Sequence, residues 1–168
     1  MLRRLKQLIK ENDFDDIYFI GVIDDSDEIK EMVKDTNFLY LEFGDFYIKI
    51  EAIEGYGKLS IKIFNELNYE SSSDEIIGKV KVEDIIFTNP LATNRISSIG
   101  FVNLEEYETV LICDVLYLKM ENGQELFIDP GFCGINIGGL EQRKFWKENQ
   151  ILHHKNKFNI KEVDINIF

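Results

Sequence analysis

Apolar and polar residues alternate most regularly between positions 38 and 64, FLYLEFGDFYIKIEAIEGYGKLSIKIF, and the pattern predicts a three-stranded antiparallel meander. A two-residue turn at Gly44-Asp45 places Phe43 opposite Phe46, Leu41 opposite Ile48 and Leu39 opposite Ile50. Glycine in the first position suits a type II′ turn, which needs positive φ there. A second turn, Glu54-Gly55-Tyr56-Gly57, brings in a third strand whose Leu59, Ile61 and Ile63 extend the same apolar face. Tyr40, Glu42, Tyr47 and Lys49 fall on the opposite face, expected to be wet with an aromatic component. A slip of one residue would exchange the two faces.

The same reading extends along the chain. Leu2, Leu5, Leu8 and Ile9 recur at helical spacing and predict an amphipathic helix over 2–11. The run IYFIGVI, 17–23, reads as a buried strand. Asp25 or Ser26 then caps a helix whose stripe is Ile29, Met32 and Val33 and which ends near Thr36. Residues 65–74 form a polar, Ser-rich excursion, 80–87 and 96–102 are strands, and Asn89-Pro90 marks a turn. The acidic stretch Leu104-Glu105-Glu106-Tyr107-Glu108 reads either as a solvated helical turn or as part of a contact surface. Asn122-Gly123 predicts a hairpin pairing Leu118 with Phe127 and Tyr117 with Ile128. Asp129-Pro130-Gly131 should stop that strand. Gly134, Gly138 and Gly139 then punctuate a loop into a helix over about 140–149, and 163–167 alternates like a closing strand. The sum is one α+β domain over 1–168, mainly an antiparallel sheet of about six to eight strands with a few flanking helices.

Charge changes the picture more than composition does. The formal net charge is -12, and residues 13–139 carry 26 acidic against 9 basic side chains, a local net of -17. Such a field repels nucleic acid and anionic membrane and steers basic partners inward. No run is apolar and long enough to span a bilayer, and the basic start MLRRLKQLIK lacks a signal peptide's apolar core, so the expected place is the cytoplasm. In that compartment Cys113 and Cys133 are expected to be reduced thiols. With His153 and His154 they give no zinc-ligand spacing, and the acids after Asp24 lack the glycine and terminal glutamate of a calcium loop. No catalytic residue, metal ligand or cofactor is assigned. A thiol or carboxylate enzyme remains the third-ranked reading.

The glycine-rich GFCGINIGG, 131–139, has neither Walker nor dinucleotide-binding spacing, although a helix start with Arg143 and Lys144 nearby could bind an anion. A tight strand-to-helix connection needing positive φ is the preferred reading of these glycines.

The wider segment ELFIDPGFCGINIGGLEQRKFW, 125–146, resembles small bacterial immunity proteins of polymorphic-toxin and contact-dependent growth-inhibition systems. The residues that carry the resemblance are Asp129-Pro130, Phe132, the run Gly134-Ile135-Asn136-Ile137-Gly138-Gly139, and Glu141-Gln142-Arg143. Because glycines and an apolar strand end describe a fold element, the motif transfers fold and family rather than a binding surface. The resemblance implies a non-enzymatic protein that binds a cognate toxin domain, often a basic nuclease, and blocks its active site or substrate groove. Acidic side chains would then stand in for phosphates, with aromatics as anchors. Three surfaces qualify: the meander face with Tyr40, Glu42, Tyr47 and Glu51; the loop with Glu70, Asp74 and Glu75; and the segment Glu105, Glu106, Tyr107 and Glu108. The competing reading is a small-ligand or anion-binding domain using the Gly134 to Arg143 turn.

Overall fold

The computed structural model describes residues 1–24, 30–69, 76–82, 95–154 and 160–168, with the side chains of 152–154 outside that description. In chain order the elements are α1 (Leu2–Glu11), β1 (Asp16–Asp24), β2 (Glu31–Lys34), β3 (Phe38–Phe43), β4 (Phe46–Ile53), β5 (Lys58–Phe64) and β6 (Ile76–Lys81). They continue with β7 (Ile96–Val102), β8 (Glu105–Glu106), β9 (Leu111–Cys113), β10 (Val115–Met120), β11 (Glu125–Gly131), β12 (Gly134–Gly138), α2 (Leu140–His154) and β13 (Glu162–Asn166). This is the expected α+β domain built on antiparallel pairing. The described strands number thirteen and divide into two sheets, more than the single sheet anticipated.

Sheet 1 runs β2-β1-β3-β4-β5-β9-β8, with β6 on the other side of β1. Sheet 2 runs β12-β11-β10-β7-β13. Their facing sides form one core: Leu39, Leu41, Ile48, Ile50, Leu59 and Ile61 from sheet 1 meet Ile99, Phe101, Leu116, Leu118, Leu126 and Ile128 from sheet 2. Helix α1 adds Leu5, Leu8 and Ile9 to the same cluster, as its spacing requires. The outer face of sheet 2 is covered by α2, where Trp146 packs with Tyr117 and Phe127.

The meander has the expected register, Phe43 to Phe46, Leu41 to Ile48 and Leu39 to Ile50. Gly44 has φ 56 while Asp45 is not among the positive-φ residues, as a type II′ turn requires.

Four expectations fail, each for a physical reason. The helix ending near Thr36 is instead β2, which pairs with β1 from Gly21↔Lys34 to Asp24↔Glu31; its proposed caps, Asp25 and Ser26, lie outside the described residues. Met32 and Val33 fit a helical stripe, but the ladder offered by β1 outweighs local propensity. The Asn-Gly hairpin is off by one, with Tyr117↔Phe127 and Leu118↔Leu126. Met120 N–H bonds Gln124 O and Gly123 has φ 85, so three residues close the loop rather than two. Pro130 does not stop β11 but sits in the ladder opposite Ile135. Ile135 sends its own N–H outward to Thr36 O, so this is a non-hydrogen-bonded pair and the proline needs no donor. Finally, the glycines from Gly134 to Gly138 form strand β12, not a loop, and α2 runs on to His154.

The strand expected over 80–87 is β6 only as far as Lys81, with Val82 beyond its end; 83–87, the Asn89-Pro90 turn and the 70–75 loop with Glu70, Asp74 and Glu75 lie outside the described residues.

Three connections among the described residues tie the sheets together, the first being Asn103-Leu104 between β7 in sheet 2 and β8 in sheet 1. Only Asp114 separates β9 in sheet 1 from β10 in sheet 2. Between β2 and β3, the bulge at Asp35–Asn37 reaches across: Thr36 Oγ1 donates to Cys133 O at 2.7 Å, and Ile135 N–H donates to Thr36 O at 2.7 Å. Gly134, at φ 115, lies so close to Thr36 that an added Cβ would fall under 3.0 Å from it. Close approach, rather than anion binding, explains that glycine.

Candidate functional site

Sheet 1 ends at β8, a two-residue strand paired on one side only, Glu105↔Ile112 and Glu106↔Leu111. The chain turns back at once, with Tyr107 N–H donating to Val110 O at 3.0 Å. Glu105, Glu106, Tyr107 and Glu108 are all exposed, so the acidic stretch is an edge strand and turn, neither a helix nor a buried segment. Beside it stands the β4–β5 turn, where Glu54 and Tyr56 both have positive φ, 53 and 68. Lys58 leads out of that turn and reaches Glu105 at 2.5 Å and Glu54 at 4.0 Å. Tyr107 Oη donates to Glu105 at 3.0 Å.

Asp114 completes the group. Burial pushes its carboxyl above the ordinary range, and Glu105 and Glu54 push the same way, while an Asn103 bond and Lys58 oppose them. Asn103 donates to Asp114 at 2.6 Å and is itself left-handed at φ 52, held by its own N–H on Lys161 O and by its side-chain Oδ1, which accepts from the Lys161 N–H. The three non-glycine residues of positive φ in the described chain, Glu54, Tyr56 and Asn103, therefore all border one acidic cluster, in which Lys58 pairs with Glu54 and Glu105. Strain held in place by surrounding bonds is a feature of binding and catalytic sites.

Roles within the segment differ. Glu106 Oε1 accepts from Leu2 N–H at 2.8 Å and from the Met1 amino group at 2.9 Å, so it caps α1. Those bonds hold its carboxyl below the ordinary range. Glu105 is lowered by Lys58 and then by Tyr107. Glu108 has no ion pair or hydrogen bond with any described residue.

The outer face of the meander is less available than its alternation implied. Tyr40 is fully buried, and its hydroxyl donates to Asn68 O at 2.7 Å beneath Leu67 and Tyr69. Glu42 accepts from Tyr18 and Tyr47, both at 2.7 Å. Burial, and then its bond to Glu42, push the Tyr18 hydroxyl up to about 12. Glu51 is half-buried, and Lys49, Lys62, Lys79 and Lys81 share the face by register, so its charge is balanced. Lys81 also pairs with buried Asp16 at 2.5 Å.

The residues of the motif in 125–146 turn inward on one another. Three same-face residues of β11 grip α2: Glu125 accepts from Arg143 at 2.9 Å, Phe127 packs on Trp146 with centroids 6.2 Å apart, and Asp129 accepts from Gln142 at 2.9 Å. Asn136 of β12 donates to Asp129 at 3.2 Å. An anion arriving at the start of α2 would thus meet two carboxylates. Phe132, at the hairpin tip, is 94% exposed and takes no part in this packing.

The two thiols differ sharply. Cys113 is buried and its thiol is pushed up by burial, whereas Cys133 is exposed at the hairpin tip. A thiol reagent is expected to titrate one cysteine in the native protein and two in denaturant; two native equivalents would contradict the β9 placement.

Among the described residues no group of three or more His, Cys, Asp or Glu could hold a metal ion, and no helix is long and apolar enough to cross a membrane. Comparisons of the chain with protein-family models, curated proteins and solved structures find no match.

Proposed function

We propose that the protein is an immunity-type inhibitor that binds a basic toxin domain with the acidic β8 edge of sheet 1. The observation that carries this reading is the exposed run Glu105, Glu106, Tyr107 and Glu108 beside Glu54, Tyr56 and Asp114, where two cations among the described residues, Lys58 and the Met1 amino group, pair with Glu54, Glu105 and Glu106 and leave Glu108 unpaired. Two exposed tyrosines at 39% and 50%, Tyr56 and Tyr107, give such a surface its anchors. The carboxylates attract and orient lysines and arginines of the partner and keep its substrate groove from nucleic acid.

Affinity capture from the native lysate at low and high salt tests the reading. A single stoichiometric partner forming the C-terminal piece of a large secreted protein supports it; no partner at either salt, with bait folded and candidate expressed, counts against it. With the partner in hand, Glu54→Lys together with Glu108→Lys is expected to slow association about tenfold at low salt, with the difference shrinking at high salt. Glu106 is left intact because it caps α1. An on-rate indifferent to both changes would remove the β8 edge as the contact.

A further inference from the structure

Asp129 is 4% exposed and stands in the ladder between β11 and β12, yet no cation among the described residues pairs with it. Its oxygens accept from two neutral amides, Asn136 Nδ2 at 3.2 Å on β12 and Gln142 Nε2 at 2.9 Å in the first turns of α2. The other carboxylate on this side of β11, Glu125, has Arg143 as counter-charge. Lys147 is taken by Glu162, and Glu141, the acid in the first turn of α2, is exposed. Asp129 is therefore a buried charge solvated by neutral groups alone, and its two donors come from separate elements.

We propose that Asp129 makes the hold of α2 on sheet 2 pH-dependent, looser when its carboxyl is ionised and tighter when it is protonated. Ionised, the group gains solvation whenever the start of α2 lifts away and Gln142 leaves; protonated, it loses that incentive and can still bond both amides. The direction agrees with the raised carboxyl, for which burial outweighs the two amide bonds. A folded-state value above the open-state value means that the hold is complete below the ordinary carboxylate range and weakens as pH rises through the raised value.

Trp146, the one tryptophan of the chain, is buried against Phe127 and reports on this hold. Acrylamide quenching of the whole protein is expected to rise as pH is raised from below the ordinary carboxylate range. In Asp129→Asn, which keeps both an acceptor and a donor without charge, that rise should be lost. Equal pH dependence in the two proteins would overturn the proposal, because the general relief of repulsion on acidification is common to both. Should the variant fail to fold, carbon NMR titration of the wild-type Asp129 carboxyl decides: an upward-shifted midpoint matching the quenching supports the device, and titration in the ordinary aspartate range overturns it.

Discussion

Replacing Gly100 with alanine is expected to cost about 4 kcal/mol, from overpacking together with loss of a charged hydrogen bond. Gly100 lies on β7 opposite Tyr117 of β10 and Asp164 of β13. The ring of Tyr117 crosses directly over it, and its hydroxyl donates to Asp164 at 3.0 Å. A Cβ at position 100 would fall inside that ring, well under the 3.0 Å that real Cβ atoms keep. Tyr117 has no free space to retreat into: it is fully buried, stacks near Phe127 at 6.5 Å, and carries the Arg143 guanidinium 4.1 Å from its centroid. Thermal unfolding should show the melting temperature lowered by roughly 8–16 °C. Adding Tyr117→Val to the alanine variant should recover part of the loss, because the clash partner is then gone. Simple additivity of the two changes would refute the geometry.

Arg143→Met should be comparably damaging, at about 3–5 kcal/mol, because it leaves one partner of a buried ion pair uncompensated. The Glu125 side chain is 5% exposed, and its Oε1 has no partner among the described residues, so Arg143 supplies what satisfaction it has. The same guanidinium reaches Glu162 at 3.2 Å, tying β11, α2 and β13 together. Burial opposes its charge, but the two glutamates and Tyr117 more than compensate and raise it further. The double variant Arg143→Met, Glu125→Met removes both charges and is expected to unfold closer to wild type than the single one does. If the double variant is the less stable of the two, the pair is not the source of the loss. Denaturant titrations of the three variants make the comparison.

Such contacts explain what the sequence could and could not disclose. The meander was legible because both its turns are local and marked by glycine, so register followed from alternation alone. The fate of residues 31–34 depended on β1, whose free edge no local pattern announces. Ile135 and Ile137 flank Asn136 with strand alternation, a signal obscured by the three glycines around them. Alternation placed Tyr40 on the outer face of sheet 1, where it is; its cover came from Leu67 and Tyr69, apolar residues inside a stretch that reads as polar. Within the acidic edge, composition identified the residues but not their roles. Glu106 caps a helix more than a hundred residues away in sequence, and only the fold brings the two together.

The change of sheet at Asp114 also sets an order on biosynthesis. Sheet 1 is completed by β9, whereas sheet 2 needs β13 to flank β7, and β13 leaves the ribosome about fifty residues later. At ordinary elongation rates that interval is about 3–10 s. Throughout it, the inner side chains of Leu39, Leu41, Ile50 and Ile61 have only part of the opposing layer to bury against. A nascent chain of this topology is at its most adhesive late in synthesis, and it is there that a chaperone would be of most use.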